Sequence, residues 1–156
     1  AGVLANGKHF PGHGDTEVDS HHNLPVIPFS RQRLDSLELY PFKKLISSGL
    51  SSIMVAHLEV PSLEMKKGLP SSLSEQIITG ILKEDLGYEG LIFTDALNMK
   101  GVSTTGKDGS VELAAFMAGN DMLLMPENIV SAKEKLTKAY EKGKLKSAWR
   151  IRSRKY

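Results

Sequence analysis

The chain has 156 residues, of which 40% are apolar and 24% charged, with a formal net charge of +2 and no cysteine. This length suits one domain with a hydrophobic core, and the composition excludes a disordered chain and a disulfide framework. Basic residues cluster only at 150–155 and the few aromatic residues do not interleave with them, so we expect no nucleic-acid partner. No apolar run approaches the length of a bilayer crossing, so we expect no membrane partner, and the composition leaves the cellular compartment open.

Four short apolar runs predict strands that are buried on both faces, as in a parallel sheet. They lie at 3–9, 52–57, 90–95 and 121–125. Helical periodicity follows each run, at 36–47, 73–86, 111–118 and 129–142. Ser74 is a possible cap of the second helix, whereas Gly119 and Gly143 stand where glycine commonly ends a helix. The sequence therefore predicts an α/β fold of four β-α units.

Two architectures accept this order of elements, an open doubly wound sheet and part of a (β/α)8 barrel. His9, His57 and Asp95 all fall at the carboxyl ends of predicted strands. Those ends converge on one site in a barrel, whereas an open sheet spreads them along an edge, so the barrel is favoured. A complete barrel needs about 250 residues. We therefore expect 1–156 to be half of a barrel, which either lacks its first half or closes by self-association.

The segment after the first predicted strand is rich in glycine and in titratable side chains. Gly12 and Gly14 are expected to let the backbone approach a ligand closely. One interpretation is a metal site, whose candidate ligands are His9, His13, Asp15, His21 and His22. The spacing matches none of the strong zinc motifs, which disfavours this interpretation.

The second interpretation of the same segment is a carboxylate–imidazole pair, Asp19 and His21. In this pair the aspartate would orient the imidazole and raise its proton affinity, which suits it to proton transfer near neutral pH.

Asp95 ends the third apolar run, where a carboxylate is costly to bury unless it faces a polar cleft. It is either a nucleophile or the N-cap of a following helix. The turn-forming residues at 103–106 disfavour a long helix directly after it. His57, at the end of the second run, is either a ligand contact or an internally hydrogen-bonded histidine.

Several of these segments together resemble glycoside hydrolase family 3 enzymes of the β-N-acetylglucosaminidase type. The similar segments are the loop at 8–16 with 19–21, the strand end at 94–99, and the last predicted strand at 118–121 and 123–126.

The resemblance implies the C-terminal half of a (β/α)8 TIM barrel and a retaining hydrolase that acts on terminal β-linked N-acetylglucosamine, for example in cell-wall muropeptides. Asp95 would form a covalent glycosyl-enzyme, and His21, held by Asp19, would be the general acid/base. Lys8 and His9 would bind the sugar hydroxyls, with His13 and His57 as further candidates for substrate contact. No metal or other cofactor is expected. The alternative is an inactive fragment or a carbohydrate-binding remnant of such an enzyme.

Overall fold

A computed structural model describes residues 2–13, 24–103 and 108–145 of the chain. Three parallel strands form one sheet, with β1 (Asn6–Phe10), β2 (Ser52–Val55) and β3 (Leu91–Thr94) side by side in chain order. Helices connect the strands, so the predicted α/β class is confirmed. β1 begins three residues later than expected, because the residues before it are solvent-exposed and form no strand.

The fourth strand, expected at 121–125, is present only as one parallel bridge between Phe93 and Met122. Its backbone still continues the sheet order, since the Thr94 N–H donates to the Met122 carbonyl at 3.0 Å. The next hydrogen bond between the two segments involves a side chain, because Thr94 Oγ1 accepts from the Leu124 N–H at 2.9 Å. The segment therefore lies beside β3 without forming a regular strand.

The helices that the structure describes follow the predicted alternation with strands. They are α1 (Arg31–Ser36), α2 (Tyr40–Ser47), a π-helix (Gln76–Asp85) after a 3-10 turn (Ser71–Leu73), α3 (Lys100–Ser103), α4 (Ser110–Ala118) and α5 (Ile129–Glu141). Ser74 Oγ accepts from the Ile77 N–H at 3.1 Å, which confirms the predicted cap. Gly119 and Gly143 have φ angles of 119° and 73° and follow α4 and α5, as expected. None of the described helices has the length and apolar character that a bilayer crossing requires.

The single helix predicted over 36–47 is wrong. Two helices occupy this region, and α2 begins at Tyr40 with Pro41 in its first turn. Proline is tolerated there because the first N–H groups of a helix have no partner inside the helix, whereas an interior proline would break it. The break changes the buried face. Leu37 and Tyr40 are exposed, whereas Leu39 and Phe42 are buried.

The main hydrophobic core packs the π-helix and α2 against the sheet. Its members include Ile53, Ile92, Ile77, Ile81 and Phe42, all buried. A second, smaller cluster joins Leu97, in the loop after β3, to α4. Leu58, after β2, belongs to the main core and Leu97, after β3, to the second cluster, so both loops are anchored by buried side chains.

Candidate active site

Polar side chains from β1 and β3 meet at the carboxyl edge of the sheet. His9 Nε2 lies 3.8 Å from Asp95 Oδ2, although the two residues are far apart in the sequence. The side chains of His9 and Asp95 are 29% and 18% exposed, respectively, so both are largely buried but remain accessible to a ligand. Parallel strands place their carboxyl ends at one edge, which is why these two residues become neighbours.

Asp95 is held by the backbone on both sides. Its N–H donates to the Val55 carbonyl at 2.9 Å, which continues the β2–β3 ladder by one residue. Its Oδ1 accepts from the Ala96 N–H at 2.9 Å. The next helix begins only at Lys100, so the alternative in which Asp95 is a helix N-cap is wrong. The carboxylate is presented at the sheet edge with Oδ2 on the side of His9.

The pKa of His9 is lowered mainly by burial of the ring, which disfavours the imidazolium. The charge of Asp95 opposes this effect by raising the pKa, whereas Lys8 and His13 lower it further. The His13 ring stands edge-on to His9, with 5.9 Å between centroids, and Lys8 is exposed on β1. The Lys8–His9 and Phe10–Pro11 peptide bonds are both cis. A neutral His9 can donate one hydrogen bond and accept another.

His57 is placed differently from its neighbours, because its side chain is fully buried. Nδ1 lies 2.6 Å from Ser72 Oγ and Nε2 lies 3.0 Å from the Ala96 carbonyl oxygen. Both ring nitrogens are thus engaged inside the protein, which is the internally hydrogen-bonded alternative and leaves neither nitrogen for a sugar hydroxyl. Burial is the main cause of the lowered pKa of His57, and the hydrogen bond to Ala96 and the charge of Asp95 oppose it.

Gly12 makes a close approach, but to the protein itself. Its φ is +129°, and a Cβ at this position would lie 2.7 Å from the Cβ of Glu38. The Glu38 carboxylate is itself held at 3.1 Å by Arg33. The turn between α1 and α2 therefore leaves no room for a side chain at position 12, and the backbone contact with a ligand expected of Gly12 stays a prediction.

Gly12→Ala is expected to lower the free energy of unfolding by about 2–3 kcal/mol, since it combines a disfavoured φ with a clash. Gly68 is a matched control, because its φ is +72° and no atom lies near its Cβ position. Gly68→Ala should cost only about 1 kcal/mol. Urea unfolding of both variants measures the difference, and equal losses would contradict the role of the Glu38 contact.

Comparison with known proteins shows the family to which the chain belongs. Residues 1–154 match the Glycosyl hydrolase family 3 N terminal domain. The chain belongs to this family. It is 41% identical over 136 residues to Beta-hexosaminidase A of Pseudoalteromonas piscicida, covering 81% of the chain and 23% of the relative. It is also 41% identical over 128 residues to Beta-hexosaminidase of Nitrosospira multiformis, covering 82% and 36%.

Among solved structures, the glycoside hydrolase family 3 beta-N-acetylglucosaminidase from Paenibacillus sp. str. FPU-7 superposes with a TM-score of 0.85. It is 44% identical to the chain and covers 90% of it, against 27% of its own length. The resemblance to family 3 and the barrel-type α/β fold are thereby confirmed. The chain spans about a quarter to a third of the length of these relatives.

The acid/base pair expected in this family 3 chain, Asp19 and His21, lies outside the described residues, as do Asp15 and His22. The competing metal interpretation depends on the same segment. Within residues 2–13, 24–103 and 108–145, no group of three or more histidine or acidic side chains could hold a metal ion.

Two polar residues behind the site carried no recognisable pattern in the sequence. Ser72 contacts His57 from the 3-10 turn, and Asn120 Nδ2 donates to the Ser72 carbonyl at 2.9 Å and to the Ala115 carbonyl at 2.6 Å. Ser72 stood in a run of serines that indicated only a helix start, and Asn120 stood after a C-cap glycine. Only their contacts reveal a role.

The lowered pKa values of His9 and His57 predict how stability depends on pH in this family 3 domain. Below the ordinary histidine pKa of 6.5 the unfolded chain binds protons that the folded chain does not, so the free energy of unfolding should fall as pH decreases. Above that pH the histidines are neutral in both states and this loss of stability is absent. Urea unfolding between about pH 5 and 8 measures the slope, and His57→Gln should make it shallower. An unchanged slope in that variant would contradict the assignment.

Proposed function

We propose that this family 3 chain carries the nucleophile and the acid/base of a retaining glycosidase that releases terminal β-linked N-acetylglucosamine. The observation that carries the proposal is the Asp95 carboxylate, which is mostly buried at the sheet edge with His9 beside it. The names of the relatives, Beta-hexosaminidase and beta-N-acetylglucosaminidase, support the choice of sugar.

In the first step an Asp95 carboxylate oxygen attacks the anomeric carbon and forms a glycosyl ester. The bond from that carbon to the leaving oxygen breaks, and the His21 imidazolium gives its proton to that oxygen. Because imidazole replaces the second carboxyl group of the usual pair, no like-charge repulsion arises between the acid/base and Asp95. Asp19 stabilises the imidazolium that must donate.

In the second step water attacks the anomeric carbon from the side that the leaving group vacated. Neutral His21 accepts the proton of the water, and the carbon–oxygen bond to Asp95 breaks to restore the carboxylate. Two displacements at one carbon return the β configuration, so the product sugar is released with retention.

Lys8, His9 and His13 are proposed to bind the sugar next to Asp95. A neutral His9 can serve as donor and acceptor to adjacent hydroxyls, whereas the Lys8 ammonium only donates. His57 acts from behind the site, since its ring nitrogens are occupied. We propose cell-wall muropeptides as the substrate class, with chitin-derived oligosaccharides as the second source of the same terminal sugar.

To test this function, we would build a chimera in which the chain replaces the matching region of the Nitrosospira multiformis relative. The chimera is compared with the chain alone. We expect the chimera to hydrolyse an aryl β-N-acetylglucosaminide and to release the β-anomer first, as followed by proton NMR. A fluorinated N-acetylglucosamine analogue should label the peptide that contains Asp95, as detected by mass spectrometry.

Release of the α-anomer first would contradict the retaining mechanism. A folded chimera that binds N-acetylglucosamine without hydrolysis or labelling would overturn the proposal in favour of a carbohydrate-binding remnant. The unmodified relative serves as the positive control for the assay.

A further inference from the structure

We propose that His57 is a positioning residue that holds the loop after β3 so that the Asp95 carboxylate faces His9. The positioning itself is a statement about structure, and its catalytic consequence rests on the function proposed above. His57 acts through Ala96 and touches neither the sugar nor the reacting atoms.

The hydrogen bonds of His57 define which nitrogen carries the proton. A carbonyl oxygen can only accept, so Nε2 must donate to the Ala96 carbonyl at 3.0 Å. Burial favours the neutral ring, so Nδ1 is unprotonated and accepts from the Ser72 hydroxyl at 2.6 Å. The ring is therefore a neutral Nε2–H tautomer with both nitrogens satisfied.

Ala96 forms hydrogen bonds with both the Asp95 carboxylate and the His57 ring. Ala96 donates its N–H to Asp95 Oδ1 at 2.9 Å and offers its carbonyl to His57. A movement of Ala96 would therefore move the hydrogen bond that orients the carboxylate. His57 lies two positions beyond the end of β2. The loop after β3 therefore depends on a buried side chain that follows the neighbouring strand.

Ser72, the second hydrogen-bond partner of His57, is itself held by Asn120. The Ser72 carbonyl accepts from Asn120 Nδ2 at 2.9 Å, and Asn120 is fully buried at the end of α4. The network thus joins the loop after β2, the 3-10 turn, the loop after β3 and the end of α4. Buried networks whose donors are satisfied hold side chains in one geometry, and an active site needs its groups held to a fraction of an ångström.

The test uses His9 as a reporter, because its titration needs no catalysis. Among the described residues, the charged and titratable groups around it are Asp95, Lys8, His13 and His57, and Asp95 raises the pKa of His9. The Asp95→Asn variant of the full chain therefore defines the largest expected fall in the pKa of His9, measured by histidine-selective NMR. Movement of the carboxylate away from His9 should produce part of the same fall.

Two conservative variants separate positioning from packing. His57→Asn retains an acceptor for Ser72 but cannot reach Ala96, and should lower the pKa of His9 by more than half of the Asp95→Asn shift. His57→Gln places an amide N–H near the position of Nε2 and should restore most of the parent value. Should His57→Asn fail to fold, Ser72→Ala removes the hydrogen bond to Nδ1 of His57 and should also lower the pKa of His9.

Four outcomes would overturn the proposal. One is an unchanged pKa of His9 in a folded His57→Asn or Ser72→Ala variant. The second is equal falls in the Asn and Gln variants. The third needs no variant and is a ring-nitrogen spectrum in which His57 is protonated at Nδ1. No response of His9 to Asp95→Asn would also overturn it, since the two groups would then not be neighbours.

Kinetics of the chimera described above extend the test to catalysis. His57→Asn should lower kcat by about 10- to 100-fold with little change in KM, because the sugar contacts remain while the nucleophile is displaced. His57→Gln should recover most of the loss. If the chimera proves inactive while His9 still responds as expected, the proposed function fails and the positioning role stands.

Discussion

Asp95→Asn is expected to reduce kcat/KM for an aryl β-N-acetylglucosaminide by about 10⁴-fold or more in the chimera with the Nitrosospira relative. An amide is a poor nucleophile toward the anomeric carbon and removes the negative charge that stabilises an oxocarbenium-like transition state. The fold should be unaffected, because Asn retains an oxygen that can accept from the Ala96 N–H. The measurement is a steady-state assay accompanied by circular dichroism.

Asp85→Asn is the matched control for this variant. Asp85 lies at the end of the π-helix, its side chain is largely exposed, and its ion pair with Arg31 spans 3.7 Å. Exposed pairs of this kind contribute about 0–1 kcal/mol, so activity and stability should both stay near the parent values. Comparable activity in the Asp95 and Asp85 variants would contradict the nucleophile assignment.

Phe10→Ala should lower the free energy of unfolding by about 3–5 kcal/mol, the cost typical of deleting a buried aromatic ring. Phe10 is fully buried and packs edge-to-face on Phe42, with 5.2 Å between ring centroids. Its carbonyl accepts from the Ala56 N–H at 2.8 Å, so the backbone of Phe10 joins the carboxyl end of β1 to the residue after β2. Urea unfolding followed by circular dichroism measures the loss.

Leu4→Ala provides the control for the Phe10 variant. Leu4 precedes β1 and 75% of its surface is exposed, so its truncation should change stability by no more than about 0.5 kcal/mol. Because His9 adjoins Phe10, the Phe10 variant should also broaden or shift the NMR signals of His9. A loss below about 1 kcal/mol would show that the core does not depend on this ring.

The sequence was sufficient to predict where three of the four strands lie and that polar residues end them. Burial on both faces was overestimated, because β1 exposes Asn6 and Lys8 and β3 leaves Leu91 and Phe93 half-buried. A carboxylate that follows an apolar run such as 91–93 still needs a polar edge. The proximity of His9 and Asp95 follows from that reasoning, because parallel strands share one carboxyl edge. Gly119 and Gly143 likewise ended their helices as predicted, since a positive φ is a local property of the residue.

The bounds of the helices and their buried faces were harder to predict from the sequence. Pro41 divides the region between α1 and α2, and the periodicity of Leu37 and Tyr40 indicated a face that is in fact exposed. Periodicity records spacing along one helix, and it fails when a break resets the rotation between two short helices. The fourth strand at 121–125 was also overestimated, since Thr94 Oγ1 replaces part of its backbone ladder.

The sequence by itself determined the α/β order of elements, the family resemblance and the position of Asp95 at a strand end, because each depends on local pattern. Only the tertiary structure decided that Gly12 packs on Glu38 and that His57 faces inward to Ser72 and Ala96. The physical reason is that a hydrogen bond or a close contact between distant segments depends on how the helices pack the loops together. A histidine at a strand end looks the same in the sequence whether it faces a ligand or forms hydrogen bonds inside the protein.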